Sequence, residues 1–496
     1  MTVEARPVIR GGSFVAGRWY EPTSDRRIRI VNPADPSELL AEFPAAGRDD
    51  TVRAIDAAQA AWPRWRDTPS PERGRVLWRA ADIARRRLEE IAQVMSLEEG
   101  KILRESRGEV MKGIGLLEYY AGDGFRIAGK TLPSEVRNTH TYTLRRPLGV
   151  VGLITPWNFP WAIPVWKTAP ALVAGNTVVF KPASLTPGTA ALFMEILEEA
   201  GLPPGVANMV VGSGADVGDT IVGDPRVQAV SFTGSNSVGM SVNSLASQRG
   251  ARVTCEMGGK NAVVVMADAD LGAAVEALIG GAFGATGQRC TATSRLVVHR
   301  EVKAELLERL VAKAATLKLG PGLDESSDLA PAVDRKQFET NLEYIDVARS
   351  EGARLVYGGN AIELGGGYFV EPTLFDGVTP EMRIFQEEVF GPVLAVSEVS
   401  SLDEAIVAAN AVEFGLASAI FTTDHRTAMR FIEESEVGMV HVNEPTIGGE
   451  AQLPFGGSKS TGVGPREMGE EGLHFFTEVK TVFVNYSGSG ERALIR

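Results

Sequence analysis

Residues 149–156, GVVGLITP, and residues 175–184, GNTVVFKPAS, decide the fold class of this chain. Each stretch holds a short apolar run that follows a glycine and ends at a proline, which is typical of a buried strand. Further strands of this kind are predicted at MVVG, VQAVSF and RVTCE, with helices between them, one of which begins at Thr186-Pro187. This alternation predicts a parallel sheet covered on both faces, and such a sheet binds ligands beyond the carboxyl ends of its strands.

A second strand–helix series runs from about residue 261 to residue 457. Its predicted strands are AVVVM, RLVVH, LAVSEV, ASAIFTT and GMVHV. Residues 49–117 instead have helical spacing. The predicted fold class is therefore α/β, with two Rossmann-like, doubly wound parallel-sheet domains in tandem.

Two segments fit neither sheet. THTYTLRRP at 139–147 and KTVFVNYSG at 480–488 alternate between apolar and polar residues, as strands do. Because open strand edges are usually paired or covered, we predict that these segments form a small β element that joins subunits. We expect the tail SGSGERALIR to be flexible.

The composition narrows the classes of function. The chain has 496 residues, of which 44% are hydrophobic, and its net charge is −13. An acidic surface argues against binding to nucleic acid or to an anionic membrane. Two cysteines cannot build a disulfide framework, no apolar run suggests a signal peptide or a membrane span, and the five His residues are scattered. We therefore expect a cytoplasmic protein without a metal site.

Polar side chains follow several of the predicted strands. Asn158 lies in PWNFP, whose two prolines stiffen the loop, and could donate a hydrogen bond to a developing oxyanion. Lys181 in KPAS suits a ribose hydroxyl or a phosphate, and the free N–H groups after Gly234 in SFTGSNSVG suit a phosphate. The simpler alternatives are a proline-bounded turn, a surface lysine and an ordinary strand–helix turn.

A carboxylate and a thiol extend this set. Glu256 in CEMGGKN stands at a strand end beside apolar neighbours, where a raised pKa would suit a base, although it could equally be a salt-bridged Glu. Cys290 in GATGQRCTATSR is adjacent to Arg289, which we expect to lower the pKa of the thiol. A free Cys is otherwise often a buried apolar residue, which is our interpretation of Cys255.

Taken in order, PWNFP, KPAS, FTGSNSVG, EMGGK, GQRC, EEVFGP and LPFGGSKSTGVG make the chain resemble the NAD(P)-dependent aldehyde dehydrogenase superfamily, from about residue 10 to residue 488. The resemblance implies the aldehyde dehydrogenase fold, with a dinucleotide-binding domain at 1–130 and 150–258 and a catalytic domain at 259–460. It also implies oligomerisation strands at 131–149 and 475–496, and hence a homodimer or homotetramer.

The resemblance further implies a thiol mechanism. Cys290 would attack an aldehyde, Asn158 and the Cys290 N–H would hold the oxyanion, and Glu256 would activate the water that hydrolyses the thioester left by hydride transfer. The positions that it assigns to the cofactor are Thr155, Pro156, Trp157, Lys181, Ser184, Gly214, Gly234, Ser235, Val238, Met257, Gly258, Glu388 and Phe390. The positions that it assigns to the small-molecule aldehyde are Arg126, Trp166, Arg289 and Thr291.

Two finer expectations follow. GQRCTATSR and residues 162–187 look closest to bacterial enzymes that act on 2-oxoglutarate semialdehyde (2,5-dioxopentanoate), so we expect an aldehyde with a distal carboxylate, bound by Arg126 or Arg289.

Many NAD-preferring relatives carry Glu where Ser184 stands, so NADP is expected to serve at least as well as NAD. The alternatives are a CoA-acylating enzyme, which Glu256 disfavours, broad oxidation of uncharged aldehydes, and a non-enzymatic binding or structural role.

Overall fold

The computed structural model describes residues 9–488. Its first elements are β1 (Ser13–Val15), β2 (Arg18–Tyr20), β3 (Arg27–Asn32), β4 (Asp35–Pro44), α1 (Arg48–Asp67), α2 (Ser70–Arg86), α3 (Leu88–Glu98), α4 (Leu103–Asp123), β5 (Thr131–Leu132) and β6 (Thr139–Pro147). The helical spacing predicted α1 to α4, but the four strands before them were not predicted.

The strand–helix alternation then begins. It comprises β7 (Val150–Ile154), α5 (Ala162–Ala174), β8 (Thr177–Lys181), α6 (Pro187–Glu199), β9 (Ala207–Met209), α7 (Asp219–Gly223), β10 (Val227–Thr233), α8 (Asn236–Gln248) and β11 (Arg252–Glu256). A single π-helical turn at Gly214–Gly218 precedes α7.

The second series follows without a break. It comprises β12 (Asn261–Val265), α9 (Leu271–Phe283), β13 (Thr293–His299), α10 (Arg300–Ala314), α11 (Arg335–Ser350), β14 (Arg354–Tyr357), β15 (Ala361–Ile362), β16 (Phe369–Val370), β17 (Thr373–Asp376), α12 (Arg383–Gln386), β18 (Val393–Val399), α13 (Leu402–Asn410), β19 (Phe414–Gly415), β20 (Ala417–Phe421), α14 (His425–Glu434) and β21 (Met439–Val442). The last elements are β22 (Ser458–Lys459), β23 (Gly462–Val463), α15 (Gly469–Phe475) and β24 (Thr477–Asn485).

The first sheet has the strand order β2-β1-β9-β8-β7-β10-β11-β23. Its five central strands are parallel, as predicted, whereas β1, β2 and β23 add antiparallel edges. The chain moves outward from β7 to β9 and then returns to β10 on the other side of β7. At such a reversal a crevice opens outside the carboxyl ends of the strands, and ligands bind there.

Helices cover both faces of this sheet because alternate residues of its strands point to opposite sides. In β7, Val151 and Leu153 pack into one apolar cluster, and Val150 and Ile154 pack into another. All five residues of β7 are buried. At about 1.5–3 kcal/mol for each large buried side chain, this two-sided burial fixes the register of the strand.

The second sheet has the order β14-β17-β18-β13-β12-β20-β21 and is parallel except at β14. Its central strand β12 is again buried on both faces, with Val263 and Val265 in one cluster and Ala262 and Val264 in another. The predicted α/β class with parallel-sheet units is therefore confirmed. The expected domain limit at residue 258 falls in the loop between β11 and β12.

A third, small sheet lies outside these two. β24 pairs with β6 over nine residues, from Thr477 opposite Pro147 to Asn485 opposite Thr139, and β5 pairs with the other side of β6. None of the helices in the described part of the chain has the length and apolar character needed to cross a bilayer. Residues 1–8 of the expected first domain, and residues 489–496 of the tail that we expected to be flexible, lie outside the described residues.

Candidate active site

Cys290 follows a loop whose backbone is held in an unusual conformation. After α9, the φ angles of Ala285 (48°) and Thr286 (56°) are both positive, which costs about 1–3 kcal/mol per residue. Two hydrogen bonds hold the loop: the Ala285 N–H donates to the Glu105 carboxylate at 2.7 Å, and the Thr286 hydroxyl donates to the Ala330 carbonyl at 2.9 Å. The nucleophile candidate is therefore on a loop fixed from two sides.

The thiol of Cys290 is not activated in the way that the sequence suggested. Burial, together with the carboxylates of Glu388 and Glu256, raises its pKa to about 12, although the Lys112 ammonium acts in the opposite direction. The predicted lowering by Arg289 is wrong, because the neighbour in sequence does not contribute.

Arg289 is engaged elsewhere. Its Nη2 donates to Glu105 Oε1 at 3.0 Å, and its guanidinium carbon lies 5.9 Å from the centre of the Phe159 ring. An Arg that is already paired with a carboxylate presents less net charge to its other neighbours. Arg289 therefore ties the nucleophile loop to α4 through Glu105.

Asn158 belongs to the loop that follows β7, at the switch point of the first sheet. Its side chain is buried, and its Nδ2 donates to the Gln288 carbonyl at 3.0 Å, two residues before Cys290. The amide has a second N–H, for which no acceptor is found among residues 9–488. The structure thus joins the Asn158 loop directly to the Cys290 loop.

Glu256 ends β11 and is only 3% exposed. Burial raises its pKa well above the usual range, and the nearby Glu467 carboxylate adds to this effect. Glu256 Oε2 has no hydrogen-bond partner, and a Cβ atom at Gly456 would collide with Oε1. Glu467 itself is held by the Lys167 ammonium and by the Ser231 hydroxyl, which donates at 2.7 Å. A buried carboxylate with a free oxygen is suited to accept a proton.

A cavity of about 460 Å³ lies at the switch point. Cys290 and Asn158 line it, together with eight of the positions expected to hold the cofactor, namely Pro156, Trp157, Gly234, Ser235, Met257, Gly258, Glu388 and Phe390. It is also lined by residues that the sequence did not indicate, namely Ile163, Leu185, Thr233, Val333, Asp334, Lys336, Gln337 and Thr340. Several of these lie in or before α11, where no motif marks them.

The residues around this cavity fit a dinucleotide. Ser235 precedes α8 and makes no capping hydrogen bond, so the first N–H groups of that helix are free to bind a phosphate. The buried Thr233 hydroxyl has no partner. In the described part of the chain Lys181 Nζ donates only to the carbonyl of the adjacent Pro182, at 3.1 Å, and burial lowers its pKa to about 8. Within residues 9–488 no group of three or more His, Cys, Asp or Glu is arranged to hold a metal ion.

The sequence profile of the aldehyde dehydrogenase family matches residues 19–482. The chain belongs to this family. It is similar to the 2,5-dioxopentanoate dehydrogenase of Saccharolobus solfataricus, at 47% identity over 95% of this chain and 98% of the relative. It is also similar to the alpha-ketoglutaric semialdehyde dehydrogenase of Bacillus subtilis, at 46% identity over 95% of this chain and 97% of the relative.

Solved structures match this aldehyde dehydrogenase over nearly its whole length. An NADP-dependent enzyme of E. coli has a TM-score of 0.94 and 35% identity, covering 96% of this chain and 98% of that one. The betaine aldehyde dehydrogenase of Staphylococcus aureus in complex with NAD+ has a TM-score of 0.93 and 33% identity, covering 96% of this chain and 95% of that one. The expected fold is therefore confirmed.

Five of the positions expected to hold the cofactor of this aldehyde dehydrogenase lie outside the wall of the cavity. Thr155 and Lys181 are buried at the ends of β7 and β8, and the Ser184 hydroxyl donates to a backbone carbonyl at 3.2 Å. Gly214 begins the π-helical turn, and Val238 is 49% exposed in the first turn of α8. All five follow carboxyl ends of strands in the first sheet.

The structure places the four residues expected to bind the aldehyde in different surroundings. Trp166 is buried and its Nε1 donates to Glu467 at 2.8 Å, and Thr291 is buried directly after Cys290. Arg126 is not brought to the nucleophile: its side chain is 58% exposed and pairs with Asp123 at 2.6 Å. Arg289 is paired with Glu105 through Nη2, while its buried Nε has no hydrogen-bond partner among residues 9–488.

Two buried charges that support Asn158 in this aldehyde dehydrogenase were missed. Lys101 Nζ donates to the Asn158 carbonyl at 2.7 Å and to Glu109 at 2.6 Å. Glu109 in turn accepts from the backbone N–H groups of Trp161 and Ala162, at 2.9 and 3.0 Å. Glu109 falls on the apolar side of α4, among its buried residues. A carboxylate on the apolar side of a predicted helix was the signal that could have identified Glu109.

Proposed function

We propose that this aldehyde dehydrogenase oxidises an aldehyde with a distal carboxylate, of the class of 2-oxoglutarate semialdehyde, to the corresponding acid. The observation that carries the proposal is the 46–47% identity, over 95% of the chain, to two enzymes named for that substrate. The site supports it as well, since the Cys290 thiol and the Asn158 amide line one cavity and the Glu256 carboxylate is buried at the end of β11 in the first sheet.

The proposed reaction begins at Cys290. Its sulfur, once deprotonated, adds to the aldehyde carbon, and the carbonyl oxygen becomes an oxyanion held by the free N–H of Asn158. When bound, the nicotinamide supplies the acceptor for the hydride that leaves this carbon. Both prolines and the buried Lys101 limit the motion of the Asn158 loop, which keeps the amide in place for the oxyanion.

The second half of the proposed reaction depends on Glu256. Its carboxylate takes a proton from water as the water oxygen bonds to the thioester carbon, and the carbon–sulfur bond then breaks. The products are a carboxylate and the free Cys290 thiolate. This role of Glu256 argues against the CoA-acylating alternative, because that enzyme must keep water away from the thioester.

We also propose that NADP serves at least as well as NAD. Ser184 carries no charge that would repel a 2′-phosphate, and the nearby Lys181 has no carboxylate partner in the described part of the chain. Two unit charges about 4 Å apart interact by roughly 4 kcal/mol at an effective dielectric constant near 20. Even a third of that energy changes affinity about tenfold.

The assignment of regions is part of the same proposal. Residues 1–130 and 150–258 would bind the dinucleotide, residues 259–460 would carry the nucleophile, and residues 131–149 and 475–496 would join subunits into a homodimer or homotetramer. Both cysteines are free, which suits a reducing compartment such as the cytoplasm.

One panel of kinetic measurements tests substrate and cofactor together. The values of kcat/KM are measured for 2-oxoglutarate semialdehyde, succinate semialdehyde, pentanal and butanal, each with NADP and with NAD. We expect the two carboxylate-bearing aldehydes to be preferred about tenfold or more, the size of one charge-assisted hydrogen bond. A preference for pentanal would contradict the substrate, and NAD favoured about a hundredfold would contradict the cofactor proposal.

A further inference from the structure

Three charged residues lie on one face of α4, facing the loops of the active site. Glu105, Glu109 and Lys112 are spaced by four and three residues, so they are neighbours on successive turns. Glu105 accepts from the Arg289 guanidinium and from a backbone N–H of the nucleophile loop. Glu109 accepts from Lys101 and from two further backbone N–H groups. Both carboxylates are therefore already paired with groups outside the helix.

Lys112 is the third charged residue on this face of α4, and its ammonium is not paired with a carboxylate in the described part of the chain. It is partly buried, and it forms no hydrogen bond or ion pair with any of residues 9–488. Its Nζ lies 5.6 Å from the centre of the Trp166 ring and would be 3.6 Å from a Cβ atom at Gly449. The adjacent Glu109, which could have paired with it, has both oxygens in use.

Lys112 is also within electrostatic range of the nucleophile. Burial lowers the pKa of the Lys112 ammonium, while the charges of Cys290 and Glu109 act in the opposite direction. In turn, the Lys112 charge lowers the pKa of the Cys290 thiol. A partly buried cation without a carboxylate partner loses solvation that nothing in the described chain replaces.

We propose that Lys112 binds the distal carboxylate of the aldehyde, and that this contact selects semialdehydes over uncharged aldehydes. The inference rests on the proposed function, and it replaces the two arginines expected from the sequence, both of which are paired. A bound carboxylate supplies the missing anion, and the Trp166 ring beside the ammonium provides an apolar wall for the carbon chain.

A second role for Lys112 has to be separated from this one. A cation beside Cys290 favours the thiolate whatever the substrate, so its removal could slow every aldehyde equally. The two roles differ in what they affect: a carboxylate contact changes KM for charged aldehydes alone, whereas a thiolate effect changes the alkylation rate of Cys290 and the turnover of all aldehydes.

The test compares Lys112→Met with wild-type enzyme on 2-oxoglutarate semialdehyde and on pentanal, which has the same chain length. We expect kcat/KM for the semialdehyde to fall about ten- to a hundredfold, mainly through KM, as for the loss of one charge-assisted hydrogen bond. For pentanal we expect a change of no more than about threefold, which corresponds to roughly 0.7 kcal/mol. Lys112→Arg, which retains a cation, should recover most of the semialdehyde activity.

The matched control is Arg104→Met, which removes one positive charge from the exposed side of the same helix and should leave both substrates unchanged. Competitive inhibition by glutarate provides a second measurement without chemistry, and its inhibition constant should rise in Lys112→Met by a similar factor. Thermal unfolding checks that the variant is folded.

The possible failures are distinct. If wild-type enzyme does not prefer the semialdehyde, the proposed function is wrong, and the role of Lys112 is wrong with it. If wild-type enzyme prefers the semialdehyde and Lys112→Met keeps that preference, only the role of Lys112 is wrong. Equal losses on both aldehydes, with slower alkylation of Cys290, would assign Lys112 to the thiolate and overturn the proposal.

Discussion

The Cys290 thiol rests in its protonated form near neutral pH. Burial and the carboxylates of Glu388 and Glu256 together raise its pKa to about 12. Below that pKa the thiolate fraction grows about tenfold for each pH unit, so the alkylation rate of the free enzyme should rise at the same rate between pH 7 and pH 9. Formation of the Cys290 thiolate therefore depends on changes in the charges that surround the sulfur.

Replacing Glu256 by Gln should change two rates in opposite directions. The Glu256 carboxylate raises the pKa of Cys290 only where it is ionised, and its own pKa is well above the usual range, so alkylation by iodoacetamide should become faster in the variant at high pH and should change little at low pH. Removing the base should slow thioester hydrolysis by about 10²- to 10⁴-fold. Stopped-flow absorbance should then record a burst of reduced cofactor near one equivalent per site, followed by slow turnover.

Two cysteine variants serve as controls for this experiment. Cys290→Ala should lose the burst and the alkylation, because no other group can form the acyl intermediate. Cys255→Ala should keep both, since that thiol is fully buried and, unlike Cys290, does not line the cavity. Slower alkylation in Glu256→Gln would mean that Glu256 deprotonates the thiol instead.

The sequence identified the reactive side chains of the site better than it identified the residues that contact them. Cys290, Asn158 and Glu256 stand in short loops with unusual composition, and a loop can be recognised without knowing what packs against it. Lys112 and Lys101 stand in helical or near-helical stretches rich in Arg and Glu. Whether such a charge is buried depends on the tertiary neighbours, which local spacing does not contain.

α4 and the loop after β7 act as one unit through the Lys101–Glu109 pair. Both side chains are 1% exposed. Burial alone would lower the pKa of Lys101, but the carboxylates of Glu109 and Glu99 outweigh it and raise the pKa. Lys101 therefore keeps its charge and holds the Asn158 carbonyl, while Glu109 accepts from the N–H groups of Trp161 and Ala162 at the start of α5.

Glu109→Gln should lower both stability and turnover. It leaves the Lys101 charge buried without its closest carboxylate, which costs about 3–5 kcal/mol. The same change loosens the Asn158 loop, so kcat should fall while KM for the aldehyde changes little. Thermal unfolding and steady-state kinetics measure the two effects separately.

A double variant separates positioning from stability. Lys101→Met combined with Glu109→Met removes both charges, so stability should largely recover, whereas kcat should stay low because Asn158 has lost its support. Glu118→Gln is the matched control on the exposed side of α4. Recovery of kcat together with stability would show that the pair has no positioning role.

Several of the elements that the sequence missed are very short, although β3 and β4, with six and ten residues, were missed as well. β1 has three residues, and its partner β9 lies far along the chain, with Phe14 opposite Met209. β23 has only two residues, and it pairs with the end of β11. Such strands have no periodicity to detect, because their existence depends on a neighbouring edge. The central strands, buried on both faces, were predictable from apolar runs alone.

The small sheet of β24, β6 and β5 is the part of the molecule where we expect subunits to meet. β24 is an edge strand of nine residues, and its Val479 and Val484 are 52% and 43% exposed. A long apolar edge strand is a site for pairing with another chain. The exposed residues lie on both faces of the strand, so a partner could cover either one.

Val479→Asp combined with Val484→Asp should therefore dissociate the oligomer. Each added charge would have to be buried without a partner at the interface, which costs several kcal/mol. Sedimentation or light scattering measures the mass, and we expect a dimer or tetramer for wild-type enzyme and a monomer for the variant. Leu364→Asp changes a similarly apolar, 37% exposed residue elsewhere and should leave the mass unchanged. A monomeric wild-type enzyme would contradict the oligomer proposal.

The pairing of the last strands with early ones has a consequence for how the chain is made. β11 ends at Glu256, and its edge is completed only by β23; likewise β6 obtains its long partner only when β24 is present. The amino-terminal half of the protein therefore emerges from the ribosome with two unpaired strand edges. These edges stay unpaired while the entire second sheet is synthesised. Nascent chains with open edges are prone to aggregation, so the yield of active protein should depend on chaperone capacity during translation more than on the stability of the finished molecule.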